Sequence, residues 1–241
     1  NMTMFYTAKD NSGASAGFDL DMEDVMVEKL IGLYPAIDTL VPMLRSFEGV
    51  VDCQVTATCK MDSTMSLELP SLHSACYLHG ENMVLLDGET FTEISKTLMF
   101  KNKKRNVIDS ISVDLAIKDN KIEVFPFLVE MDRYKVAVGG THNLDMTFNY
   151  HLSVLKSPVP FKLGIDITGN LDDFKYKIVK CRYKDLFKPA KEAELDSTRT
   201  NVRKEIRESI RNQIRETAPE LVSSLSPNHT VTPPEGESNA L

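Results

Sequence analysis

No stretch of this chain approaches the ~20 consecutive apolar residues that a helix needs to span a bilayer, and no signal peptide opens it. Close cysteine pairs are missing as well. Cys53, Cys59, Cys76 and Cys181 are scattered, without the CxxC spacing of a zinc or redox site. Cys53 and Cys59 share the parity of Val55 and Ala57 in one alternating run, which reads as core thiols. Six residues apart on a straight strand, they stand about 20 Å from each other, beyond disulfide reach. Excess positive charge is absent too: 28 Lys and Arg stand against 35 Asp and Glu, a net charge of -7. A phosphate-tracking surface would therefore have to be local. The one basic run of the main body, Lys101, Lys103, Lys104 and Arg105, has no stacking aromatics beside it and reads first as a solvated loop and second as a nucleic-acid or lipid-headgroup contact. No nucleic-acid partner is expected.

Signatures of catalysis are equally scarce. There is no GxSxG elbow, no GxGxxG or GxxxxGKS/T phosphate loop and no HExxH pair. His73 and His79 share a parity but stand six residues apart, His142 falls in an expected turn, and His151 falls on the wet face of a strand. These read as surface histidines without a metal role, and His229 lies in the tail. Asp172-Asp173 and Asp19/Asp21 lack the repeating oxygens of a calcium loop. Glu130 and Asp132 flank an expected turn. No catalytic residue, metal or cofactor is assigned, and the chain is expected not to be an enzyme.

What is present is alternation. In "THNLDMTFNYHLSVL" Leu144, Met146, Phe148, Tyr150, Leu152 and Val154 alternate with Asp145, Thr147, Asn149, His151 and Ser153. That is a strand period, with one apolar and one wet face. "VVDCQVTATCKM" repeats it, as do "STMSLELPS", with Met65, Leu67 and Leu69, and "DSISVDLAIKDNKIEVFPF". "LHSACYLHGENMVLL" reads as a less regular pair. Asp62-Ser63, Asp119-Asn120, Gly139-Gly140 and Gly169-Asn170 are expected turns, and Pro126 marks an edge or a bend. Helical spacing enters in four places. Asp21 is placed to cap a helix carrying Val25, Met26, Lys29, Leu30 and Leu33. Pro35 starts a second, Asp87 caps a third over 88–98, and Glu192 to Glu216 forms a charged helix with a thin seam of Leu195, Val202, Ile206, Ile210 and Ile214. Its basic residues, interleaved with Glu205, Glu208 and Glu216, read first as a solvated face and second as a membrane-surface or protein-partner helix.

The expected fold class is thus α+β, mainly β: a long, curved, groove-like antiparallel meander with short covering helices and a charged C-terminal helix. The expected organisation is a β-groove domain over 1–188, the charged helix over 189–217 and a disordered tail over 218–241. A sheet with one apolar face must bury it. Either the sheet folds over into a closed core, or it stays open along an edge and its lining accommodates acyl chains. Periodicity is the same in both.

The order of these segments carries a resemblance. "LYPAIDTLVP", "LLDGETFTEISKTLMFK", "IKDNKIEVFPF", "GGTHNLDMTFNYHLSV" and "ITGNLDDFKY", spread over roughly Phe5 to Phe187, resemble the C-terminal region of AsmA-like proteins of the Bacteroides type. The resemblance implies a periplasmic, cell-envelope protein whose parent is held at the inner membrane by an N-terminal helix outside this piece. It also implies a role in outer-membrane biogenesis and lipid homeostasis, with phospholipid carried in a β-groove by the long members of the family. Without family catalytic residues to carry over, what it implies is a groove lining: Val113, Leu115, Ile117, Ile122, Val124, Val136, Val138, Leu144, Met146, Phe148, Tyr150, Leu152, Ile165 and Ile167. Four cysteines in a periplasmic domain are expected to be buried, since exposed thiols would oxidise there. The runner-up expectation is a structural or protein-interaction module with a closed core.

Overall fold

Ten long strands form one antiparallel meander in the computed structural model, which describes residues 2–9, 13–33, 42–64, 66–86, 106–131, 134–145, 147–158, 162–170 and 173–217. They are β1 (Met2–Lys9), β2 (Gly13–Met26), β4 (Val50–Met61), β5 (His73–Leu85), β6 (Asn106–Lys118), β7 (Lys121–Met131), β8 (Tyr134–Asn143), β9 (Phe148–Lys156), β10 (Leu163–Gly169) and β11 (Phe174–Val179). Each pairs with its sequence neighbour, and the two-residue β3 (Phe47–Glu48) joins β5 beyond the end of β4. The sheet is open, with β1 and β11 as its edges. Helix α1 spans Val27–Leu33 and helix α2 spans Pro189–Thr217. The mainly β, α+β meander expected from periodicity is the fold observed.

Turn chemistry explains two of the connections directly. Asp119 and Asn120 take left-handed φ values of 52° and 63°, so Lys118 and Lys121 close a two-residue hairpin. At the β10–β11 turn Gly169 sits at φ 129°, and the Asn170 side chain accepts the Asp173 N–H at 2.8 Å. Pro126 falls where the β7–β8 register shifts, between Val124 and Phe127, so it bends a strand inside the sheet.

Several expectations require correction. The unbroken strand from Thr141 to Leu155 is two strands. Asp145 Oδ1 accepts the Thr147 N–H and hydroxyl at 2.9 and 2.6 Å, in a turn that includes Leu144 and Asp145. His142 pairs with Phe148 and the Asn143 N–H donates to the Thr147 carbonyl, so paired residues differ by an even number and the alternation passes through the reversal unchanged. Gly139-Gly140, expected to be a turn, lies inside β8. A Cβ on Gly140 would stand 2.3 Å from the Asn149 carbonyl oxygen, and one on Gly139 would stand 2.9 Å from Pro126 Cα, so close backbone approach is what these glycines permit. The helix expected near Asp21 starts only at Val27, because β2 continues through an irregularity at Asp24, where φ is 54°. "LHSACYLHGENMVLL" is one strand with Asn82 at φ 52°, and Leu67 makes a lone bridge to Met61 ahead of a short 3-10 turn at Leu69–Ser71. The helix expected from Pro35 lies outside the described residues up to 41, and its Leu44 falls in a 3-10 turn over Pro42–Ser46. The helix expected over 88–98, the basic run 101–105 and the tail 218–241 lie outside the described residues.

Candidate functional site

The pairing fixes two faces. On the apolar face Leu115 pairs with Val124, Ile117 with Ile122, Val138 with Leu152, Leu152 with Ile165 and Tyr150 with Ile167. Val113 precedes Leu115 on the same face of β6, and Val136 pairs with Val154. Phe148 lies opposite His142 on this face. Of the other expected lining residues, Leu144 sits in the β8–β9 turn and packs on the cluster of Leu115, Ile117 and Ile122, while Met146 lies outside the described residues.

Coverage of this face is uneven. At the N-terminal end α1 presses Val27 and Leu30 onto Val51, Cys53, Leu78 and Ile108, a layer of helix on sheet. At the C-terminal end the cluster of Val136, Val154, Ile165 and Ile167, flanked by Phe148, Leu152 and Phe174, draws, among the described residues, on side chains of β8 to β11. Burial then falls sharply across one register pair: Ile165 is 1% exposed, while its partner Ile178 on β11 is 61% exposed and Tyr176 is 49% exposed. One polar pair interrupts this lining, His142 Nδ1 with the Tyr150 hydroxyl at 2.7 Å, and burial pushes the Tyr150 phenol well above its ordinary range. His142 is therefore a strand residue, 8% exposed, and not a turn residue at the surface.

The polar face is covered by the chain's own C-terminal segment. After β11 the backbone crosses β9 and β10. The Tyr183 N–H donates to Ser153 Oγ at 3.0 Å, and the Arg182 N–H donates to His151 Nε2 at 3.2 Å. Ser153 Oγ lies 2.8 Å from the same Nε2, and His151 Nδ1 lies 2.6 Å from Asp166 Oδ1. Asp166 Oδ2 accepts Arg182 Nη2 at 2.5 Å, and the Tyr183 ring meets His151 edge-on at 5.1 Å. Ser, His and Asp in this order reproduce the bonding of a hydrolase triad. Burial gives them another role. Ser153 is 0% exposed and His151 2%, with the Tyr183 N–H already on the hydroxyl that would have to attack. The cluster fastens the crossing segment to the sheet. It also corrects the surface reading of His151.

Helix α2 continues the cover over β6 to β2. Arg199, Arg203, Arg207, Arg211 and Arg215 recur every four residues, one row on a helix. Arg207 and Arg211 converge on Asp19, with Arg207 Nη2 at 3.0 Å and Arg211 Nη2 at 2.7 Å, and Thr56 Oγ1 donates to the same carboxylate at 2.8 Å. Arg203 Nη1 lies 3.2 Å from Asp114 Oδ1, with its guanidinium 4.4 Å above the Tyr77 ring. Fully buried Ile210 and its neighbour Ile206 form the apolar seam beside them. Arg203, Arg207 and Arg211, expected to face water, face the sheet. Burial alone would push the Asp19 carboxyl up, but hydrogen bonds from Thr56, Arg211 and Arg207 outweigh it and hold the group below its ordinary value. At Asp114 burial wins over Arg203 and Arg199, and that carboxyl is held above its ordinary value.

Among the described residues no three His, Cys, Asp or Glu side chains are grouped to hold a metal, and no helix is long and apolar enough to cross a membrane. Cys53 and Cys76 touch across β4 and β5 on the apolar face, and the hydrogen bond between the two thiols, with burial behind it, pushes the Cys76 thiol up. No family model, curated protein or solved structure matches the chain.

Proposed function

We propose that the chain is a non-enzymatic module of a cell-envelope protein that accommodates phospholipid acyl chains on the apolar face of its sheet. One observation carries the reading: the chain spends its C-terminal segment covering the polar face, while the apolar face runs out to Tyr176 and Ile178 half-exposed or more at the β11 edge. An ordinary sandwich would do the reverse, since burying apolar surface is the dominant favourable term. An apolar ligand completing that face restores the balance. The resemblance to AsmA-like proteins supports the same reading and supplies its setting. That setting is a periplasmic module of an inner-membrane-anchored parent, acting in outer-membrane biogenesis and lipid homeostasis.

The second reading, a structural or interaction module with a closed core, draws on Val154 and Ile165, each 1% exposed and as buried as any core residue. Mass spectrometry of the purified chain separates the two. Stoichiometric co-purified phospholipid that is lost on Phe148→Asp, with the fold retained and the wet-face control Asn149→Asp unaffected, supports lipid binding. A lipid-free chain whose Phe148→Asp variant unfolds supports the closed core.

A further inference from the structure

We propose that the β10–β11 edge of the sheet is a docking surface for an anionic phospholipid bilayer, met edge-on by β11. Between Lys156 and Lys188 eight Lys and Arg stand against four Asp and Glu, in a chain whose overall balance is 28 against 35. Two of those acids are already engaged, Asp166 by Arg182 and His151, and Asp185 by Lys188. The lysines are not used by the fold. Lys156, Lys162, Lys175, Lys177 and Lys180 are exposed, and none has an ion-pair partner among the described residues. Lys175 and Lys177 alternate with Tyr176 and Ile178 along the edge strand. Leu163 pairs with Val154 and Gly164 with Val179, which brings Lys156, Lys162 and Lys180 to one end of the same edge.

Lysines on an edge strand are also the usual guard against strand-to-strand aggregation. A guarded edge, however, gains nothing from a tyrosine 49% exposed and an isoleucine 61% exposed between its lysines. The combination suits a lipid–water boundary. An aromatic with a polar tip and a branched aliphatic enter the headgroup region, while lysine stems lie along the apolar layer and their ammonium groups reach phosphates. Charge complementarity selects the partner: an acidic protein with one basic, apolar-studded edge would approach an anionic membrane by that edge.

The inference stands apart from the proposed cargo, since docking requires no lipid on the sheet face. The chain contains no tryptophan, so Tyr176→Trp in the full chain places a single fluorophore at the edge. Titrated with vesicles of phosphatidylglycerol and phosphatidylcholine, its emission is expected to shift to the blue and to be quenched by brominated acyl chains. With pure phosphatidylcholine it is expected to do neither. Adding Lys175→Glu and Lys177→Glu, both exposed and so compatible with folding, is expected to weaken vesicle binding by roughly tenfold or more at low salt. Equal response to neutral vesicles, no response to anionic ones, or unchanged binding in the double lysine variant would overturn the inference. So would a blue shift without vesicles that grows with protein concentration alongside a dimer in sedimentation, which would make the edge a strand-pairing surface. Vesicle binding by a chain that co-purifies with no lipid would leave docking standing and remove the cargo reading.

Discussion

The two faces of this sheet are covered by opposite means. The polar face is closed mainly by directional pairs: Arg207 and Arg211 on Asp19, Arg182 on Asp166, and backbone N–H groups on Ser153 and His151, while Arg203 stands at ion-pair distance from Asp114, whose buried Oδ1 has no hydrogen-bond partner among the described residues. The apolar face is closed by side-chain packing at its N-terminal end and thins to exposed Tyr176 and Ile178 at the other. A polar surface can be buried only if each group finds its partner, so its cover is specified residue by residue. An apolar surface accepts any apolar neighbour, which leaves room for one that is not protein.

The comparison is sharpest at the register pair Ile165 and Ile178. Ile165→Ala, at 1% exposure, should cost about 2–5 kcal/mol in urea unfolding. Ile178→Ala, at 61% exposure, should stay within ~0.5 kcal/mol. Equal losses would mean that the edge is closed in solution, and the apolar face would lose its claim to a ligand.

On the other face, Asp19→Asn should remove about 1.5–3 kcal/mol at pH 7, because several charge-assisted hydrogen bonds end on that carboxylate. The pH dependence follows from its lowered folded value. The contribution is complete above the ordinary value of 3.8 and is lost as pH falls through the folded one, so variant and wild type should converge in acid. Asp114 works in the opposite sense. Its raised folded value means that the native state holds the proton more tightly, so stability falls as pH rises through the window above 3.8. A gap between Asp19→Asn and wild type that persists unchanged into strong acid would mean the arginines dock elsewhere. Faster hydrogen exchange along α2 in the variant, with β9 and β10 protected as before, would locate the loss.

Ser153→Ala tests whether the buried Ser, His and Asp fasten or react. It should cost about 1–2 kcal/mol, since the Tyr183 N–H and His151 are left without the hydroxyl. The native wild-type chain should take up no fluorophosphonate probe. Rapid labelling of Ser153 in the folded protein would sink the fastening role and make the chain an enzyme.

Sheet, strand faces and the long helix were legible because period 2 and period 3.6 survive in the sequence wherever one side of an element is apolar. Of the expected lining, the strand residues from Val113 to Val138 and from Phe148 to Ile167 fell on one face for that reason. The β8–β9 reversal was hidden because its paired residues, such as His142 and Phe148, differ by an even number and so preserve parity, although Asp145 two residues before Thr147 was a usable signal. The covered polar face was the larger miss. Polar residues at alternate positions look the same whether water or arginine meets them, and the partners of Asp19 lie 188 and 192 residues away. The four-residue spacing from Arg199 to Arg215 was the available clue: so strict a row implies one surface to face. The Ser153–His151–Asp166 cluster joins neighbouring strands, so it could be found only once Asp166 was known to pair with His151.

The smallest expected effect probes how the arginine row holds. Arg203 both approaches Asp114 and lies over Tyr77, and a lysine can reproduce the first contact but not the planar stacking of the second. Arg203 is 27% exposed on its side chain, so solvent already screens part of the interaction. Arg203→Lys should therefore cost only ~0.5–1 kcal/mol. A double-mutant cycle with Tyr77→Leu should recover a coupling of the same size, because the two residues are in direct contact. Zero coupling would mean that the seam of Ile206 and Ile210 docks α2 and the arginine over Tyr77 is incidental. The cycle also tests whether the faces are independent. Neither substitution touches the apolar side, so co-purified lipid and vesicle binding should be unchanged in both. A loss of either would show that the cover on the polar face shapes the apolar one through the strands between them, and the contrast drawn between the two faces would become a coupling.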